Sequence, residues 1–143
     1  MNLEKLLNQQ VANLILFYVK LHNYHWFVEG PHFYGLHEKY EEMYDEVTEM
    51  YDEIAERMLV LGYKPVGTLK ESLALATLSD ATNKESCKEM ISIVLNDYKQ
   101  LDKEYGQALE LAGELGDDVT EDILTTHRVS FQKHIWMLTQ LLK

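Results

Sequence analysis

The chain has 143 residues, of which 46% are hydrophobic, and a formal net charge of −11 at pH 7; that is one domain's worth of sequence, with enough apolar material for a core. The acidic balance argues against duplex DNA as a routine ligand, because that binding rests on Lys and Arg neutralising phosphates, and it suits the attraction of cations. No stretch is apolar enough to span a membrane, the opening MNLEKLLNQQ lacks the basic-then-apolar pattern of a signal peptide, and the single cysteine, Cys87, reads as an ordinary buried or half-buried thiol with no disulfide partner, so a cytoplasmic location is expected.

The first predicted helix runs from Leu3 to about Phe27, where Leu6, Leu7, Val11, Leu14, Ile15 and Tyr18 recur at three- and four-residue steps and Gly30-Pro31 stops the pattern. The second starts near Tyr34 and ends at Gly62, with an apolar stripe that includes Leu36, Tyr40, Met43, Val47, Met50, Ile54 and Met58. A long connection with Pro65 and Gly67 follows, and in it Thr68 and Glu71 form a T-x-x-E signature for a short helix over LKESLALA. Thr82 and Glu85 repeat that signature and are expected to open the third long helix, which continues to about Leu111. Gly113 and Gly116 mark the next turn, and Asp117 or Asp118 caps a fourth long helix that runs almost to Lys143. Trp136 on that helix is expected in the core. Four long helices with one long crossover, between the second and third, predict an all-α, ferritin-like four-helix bundle with a short extra helix in the crossover, forming a single domain over residues 1–143.

Residues 21–42, LHNYHWFVEGPHFYGLHEKYEE, hold four of the six histidines (His22, His25, His32 and His37), and a dense run of carboxylates starts where they end. Acidic helices usually present a solvated face, but helical geometry separates these acids. At about 100° per residue, His37, Glu41, Asp45, Asp52 and Glu56 share one flank of the apolar stripe within about 100° of one another. Glu42, Glu46, Glu49 and Glu53 are expected to point farther out. His37 and Glu56 lie about 28 Å apart along the axis, so one ion cannot take both. Their residue numbers, however, add to the same total as those of Glu41 and Asp52. A copy of this helix laid antiparallel, about a two-fold between Glu46 and Val47, therefore sets His37 opposite the partner's Glu56 and Glu41 opposite the partner's Asp52.

His25, near the end of the first helix, would complete such a cluster; taken alone it reads as a core-edge histidine bonded to a carboxylate, as do His22, His127 and His134. His32 follows a proline in a turn and is expected to be exposed. One imidazole set with several carboxylates favours iron or manganese over structural zinc. The helical Glu-x-x-His pairs of di-iron bundles are missing: the one such spacing, Glu29 to His32, is broken by Gly30 and Pro31, so an intrachain di-iron site is not expected.

The segment NYHWFVEGPHFYGLHEKYEEMYDEVTEMYDEIAER closely resembles the Dps family, the miniferritins or DNA-binding proteins from starved cells, and GDDVTEDILTTHRVSFQKHIWML resembles that family's last helix. The resemblance spans essentially the whole chain. It implies a dodecameric shell with di-iron ferroxidase sites between two-fold-related subunits. The implied ligands are His25, His37 and Glu41 of one subunit with Asp52 and Glu56 of the other. Many members have Asp where this chain has Glu41, and Asp45 is the fallback ligand. The implied chemistry is oxidation of Fe(II), preferably by hydrogen peroxide, with the ferric mineral core kept inside the shell. Trp26 matches an aromatic near the family's site, which either takes up stray oxidising equivalents or simply packs at the interface. Asp118 and Asp122 map to an acidic pore for iron at the three-fold axis, where Gly113 stands in place of a further acid in some relatives. Members that bind DNA directly use a Lys-rich tail; here only Lys5 stands near the start, so DNA binding is expected to be weak or absent. Two alternatives follow from the same features: a nucleoid-binding structural protein, and a helical oligomer whose acidic face is merely solvated.

Overall fold

The computed structural model describes all of residues 1–143 and contains five helices and no strand: α1 Leu3–Phe27, α2 Phe33–Val60, α3 Leu69–Leu75, α4 Cys87–Glu114 and α5 Asp118–Leu141. The fold is all-α and ferritin-like, as expected. Partner residues fix the directions. Tyr18 meets Tyr51 while His25 meets His37 across α1 and α2, and Lys20 meets Asp97 while Gln10 meets Glu104 across α1 and α4. Tyr98 meets His134 while Tyr105 meets His127 across α4 and α5. Both α2 and α4 therefore run antiparallel to α1 and parallel to each other, which the long crossover permits. The core runs the length of the bundle, from Leu7, Leu14 and Phe17 on α1 through Met43, Val47 and Ile54 on α2 to Tyr98, Tyr105 and Phe131.

Local chemistry sets the helix ends, with one departure from expectation. Asn2, Thr68 and Asp117 each accept a backbone N–H three residues on, satisfying a donor that the first turn leaves free. The third long helix does not open at Thr82. Its capping box is Ser86 with Glu89, whose side chains each take the other's backbone N–H, so α4 begins at Cys87 and reaches Glu114. Thr82 and Glu85 do bond as the T-x-x-E signature demands, the hydroxyl to the carboxylate at 2.6 Å, but they close a turn before the helix. Asn83 adopts a left-handed φ of 66° there, which stops the chain from winding onward. At the other end of α4, Gly116 takes a φ of 70° and lets Asp117 N–H bond back to the Ala112 carbonyl at 2.9 Å, a close that L side chains resist.

The crossover lies along α1, and polar side chains on α1 hold it. Asn8 donates to the Lys64 carbonyl and accepts from Val66 N–H, and Asn13 accepts from Thr77 and Leu78 N–H. Lys20, 2% exposed, donates to the Ser79 carbonyl at 2.7 Å and pairs with Asp97 at 2.7 Å. Tyr24 donates to Glu85 at 2.6 Å. These groups satisfy the crossover's backbone where no helix can, and they explain the buried Asn13 and Lys20 on a helix read as apolar, while the buried Gln10 donates to Glu104 on α4.

Glu85 carries a pH dependence. Burial pushes its carboxyl up, but the Thr82 hydroxyl, the Tyr24 phenol and the backbone N–H groups of Thr82 and Lys84 outweigh that and bring it down to about 2. A carboxylate held low in the folded state stabilises above its ordinary range and stops doing so as pH falls through its folded value. Glu85→Gln should therefore lower the denaturation midpoint at neutral pH, with the gap to wild type closing as pH falls towards about 2. Denaturant titrations across that range check this; a gap independent of pH would assign the turn's stability elsewhere.

Candidate metal centre

His25 ends α1 and His37 begins the second turn of α2, and the short loop between the helices folds them together. Each ring donates from Nδ1 to the other residue's backbone carbonyl, at 2.6 Å from His25 and 2.7 Å from His37, and the rings stack with centroids 3.8 Å apart and planes 11° from parallel. A carbonyl accepts only, so both Nδ1 atoms carry a proton, and in the neutral rings both Nε2 atoms keep a free lone pair. Glu41, one turn along α2, reaches His25 Nε2 at 3.7 Å. This is how metal-ligating histidines are oriented by the groups behind them. Two imidazole nitrogens and a half-exposed carboxylate thus share one spot.

Asp45, Asp52 and Glu56 are exposed on the following turns. Nowhere in the single chain do three or more His, Cys, Asp or Glu side chains converge as a metal site. The donor chemistry of His25, His37 and Glu41 fits a divalent transition metal, but one chain offers half a coordination shell. Aromatic rings surround that half. Phe33 stacks on His37 at 5.0 Å, Tyr44 stands edge-on to His25 at 5.4 Å, and His22 stacks on Tyr44 at 3.6 Å. Burial, then the charges of Glu41 and Asp45, hold the Tyr44 phenol above its ordinary value. Trp26 lies 5.3 Å from His22 and is 62% exposed, on the same face.

The other histidines divide. His22 does not meet a carboxylate; its Nδ1 bonds the Tyr18 carbonyl at 2.9 Å. His127 and His134 do, and their partners add to the helical-wheel reading of α2. Glu53 and Glu46 keep part of their surface in solvent but lie on the flank facing α5, with carboxylates 2.9 Å from His127 Nε2 and 3.1 Å from His134 Nε2. Behind His127, Tyr105 bonds Nδ1 at 3.0 Å. That fully buried phenol is pushed well up and keeps its proton, so it donates and leaves Nε2–H to donate to Glu53. Burial holds His127 below its ordinary value, with Glu53 opposing. The sequence carried a sign of this seam: Tyr98 and Tyr105, His127 and His134, and Glu46 and Glu53 share one heptad spacing. Trp136 also departs from expectation, being 60% exposed beside Met137 and Leu141 rather than in the core. His32 is exposed in its turn, as expected. Asp118 and Asp122 are exposed at the start of α5, and Glu121 lies back over Gly113, where an added Cβ would meet its carboxylate at 3.4 Å.

A family model for the ferritin-like domain matches residues 4–143. A Brevibacillus brevis protein named DNA protection during starvation protein is 46% identical over 138 residues, covering 96% of this chain and 93% of the relative. The chain belongs to the ferritin-like Dps family. General stress protein 20U of Bacillus subtilis is 43% identical, over 92% of this chain and 90% of that protein. Among solved structures, Dps from Staphylococcus aureus superposes with a TM-score of 0.96 at 43% identity, over 99% of this chain and 95% of that one. Membership in the Dps family accounts for the bundle with its crossover helix.

Proposed function

We propose that this protein is a ferroxidase and iron store that oxidises Fe(II), preferably with hydrogen peroxide, and keeps the ferric mineral inside a dodecameric shell in the cytoplasm. The observation that carries the reading is the reciprocal bonding of His25 and His37, which frees two Nε2 lone pairs beside Glu41. The missing half of the site comes from a two-fold-related copy, whose Asp52 and Glu56 face Glu41 and His37 when the α2 helices pack antiparallel. That arrangement supplies two imidazoles and three carboxylates, a donor set suited to iron, at the interface rather than inside one chain. Asp45 is one turn beyond Glu41 and is the reserve ligand.

The chemistry follows from holding two Fe(II) ions together. Peroxide needs two electrons, and two adjacent ions deliver both, so peroxide takes up two protons and leaves as two waters without releasing hydroxyl radical. The residues hold, orient and screen. The backbone carbonyls fix both imidazoles, the carboxylates neutralise the ions and accept protons, and the surrounding rings limit solvent. Asp118 and Asp122 form the acidic route by which Fe(II) reaches the interior. Trp26 covers the site at the interface and takes up a stray oxidising equivalent.

The test adds Fe(II) and then hydrogen peroxide to the pure protein, following ferric absorbance together with native mass. Fast, peroxide-dependent ferric formation in a particle of roughly 200 kDa, twelve chains of this length, is expected. A stable monomer or dimer, or no peroxide-dependent phase, would refute the proposal.

The relatives' name, DNA protection during starvation protein, raises a second reading in which the protein coats DNA. A charge of −11 per chain disfavours it, and removal of iron and peroxide protects DNA without contact. Plasmid mobility should be unchanged by stoichiometric protein near neutral pH and ordinary salt, and retardation there would favour the coating role.

A further inference from the structure

One feature of the face that carries His25 is not needed to hold iron. A row of tyrosine rings runs along it from one end of α2 towards the other. Tyr44 stands 5.4 Å from the His25 ring, Tyr18 stands 5.9 Å from Tyr44, and Tyr51 stands 6.2 Å from Tyr18, all edge-on and all half-buried. Tyr51 adjoins Asp52 in the chain. Tyr24 and Tyr105 use their hydroxyls to hold Glu85 and His127, whereas none of the three hydroxyls in the row bonds another group of the chain. Packing alone would be met by phenylalanine. What tyrosine adds is a ring that gives up an electron readily.

The two ends of the row belong to different sites. If the ferroxidase reading holds, on which this inference rests, His25 serves one interfacial site while Asp52 of the same chain serves the other. The row then begins beside a histidine of one site and ends one residue along the chain from a ligand of its two-fold mate. We propose that Tyr44, Tyr18 and Tyr51 form an electron relay that joins the two ferroxidase sites of each dimer and lets two sites holding one Fe(II) apiece act together on one peroxide. Peroxide at the first site takes one electron from the Fe(II) there and the second from Tyr44 as its O–O bond breaks. Tyr44 is refilled from Tyr18, Tyr18 from Tyr51, and Tyr51 from the Fe(II) at the second site. Each phenol releases its proton with the electron and regains one when refilled, so the tyrosines end unchanged. Two Fe(II), one hydrogen peroxide and two protons give two Fe(III) and two waters. A half-loaded dimer is thereby kept from one-electron chemistry that would release hydroxyl radical.

The experiment compares wild type with Tyr18→Phe and Tyr51→Phe, variants that keep the ring and touch no proposed ligand. Native mass and the oxidation rate at two Fe(II) per site should match wild type. At one Fe(II) per site, wild type should consume one peroxide per two Fe(II), show a transient tyrosyl signal on freeze-quenching, and yield little spin-trapped hydroxyl radical. Each variant should lose the stoichiometry and give several-fold more trapped radical. Equal radical yield and equal stoichiometry in wild type and both variants, with fast oxidation at full loading, overturn the relay and leave the ferroxidase reading standing. Absence of peroxide-dependent oxidation in wild type at full loading overturns both.

Discussion

Co-assembly of His37→Ala with Asp52→Ala should restore roughly a quarter of the wild-type ferroxidase sites, although each variant alone is slow. Losing a ligand should cost each parent at least about tenfold in activity, the lower end of what even supporting residues cost at metal sites. His37 and Asp52 lie fifteen positions apart on α2, too far to share an ion within one chain, so each site would combine them from two chains. In a mixed dimer one interfacial site carries both lesions. The other takes His37 from the Asp52→Ala chain and Asp52 from the His37→Ala chain, and is whole. Random mixing makes about half the dimers mixed, with one good site of two in each, which sets the expected fraction. Dissociating the two variants, reassembling them together and confirming mixed particles by mass allows the rate to be read directly. Mixed particles no faster than either parent would show that the two residues do not meet across an interface.

Lys20→Met should destabilise the protein by about 3–5 kcal/mol, the usual cost of leaving one partner of a buried ion pair alone. Lys20 and Asp97 are 2% and 8% exposed, and Lys20 also holds the crossover through the Ser79 carbonyl. Burial already raises the Asp97 carboxyl above its ordinary value, against the pull of Lys20. Removing Lys20 raises it further. A group whose folded value is raised in this way binds its proton more tightly when folded, so the penalty for ionising it grows as pH rises through the ordinary carboxylate range and beyond. The variant's deficit should therefore be smaller in acid and full at neutral pH. Lys20→Met/Asp97→Leu should recover most of the loss, because it removes both buried charges and leaves apolar volume behind. Denaturant midpoints at fixed protein concentration, with native mass as a control, measure both effects. A single variant as stable as wild type would place the crossover's anchor in Asn8 and Asn13 instead.

Much was readable in the chain because helices and helix faces are local properties. The three- and four-residue spacing of Leu, Val, Met and Tyr determined four long helices, and the length between the second and third determined that they run parallel. The same arithmetic put His37, Glu41, Asp52 and Glu56 on one flank of α2, and the segment around His25 and His37 carried the family. A wheel gives a direction from one helix axis, however, and not the neighbour found in that direction. Glu46 and Glu53 point away from the His25 flank, and only the packing of α5 beside α2 gives them His134 and His127 as partners. Thr82 and Glu85 form the bonds their signature requires, yet a capping motif closes a turn as well as it starts a helix. The left-handed Asn83 between them decided for the turn.

The tertiary structure alone decided three further things. It set the tautomer of His25 and His37, because each Nδ1 bonds a carbonyl twelve residues away that comes near only when α1 and α2 fold together. It turned Asn13 and Lys20, two polar residues on an apolar helix, into the anchors of the crossover, because a connection lying against a helix needs partners for its own N–H and carbonyl groups. It left Trp26 and Trp136 exposed on a single chain, since an aromatic ring's apolarity calls for burial but does not say whether its own bundle provides it. Sequence determines what each side chain favours over the few residues its helix spans; which distant group answers depends on how whole helices pack.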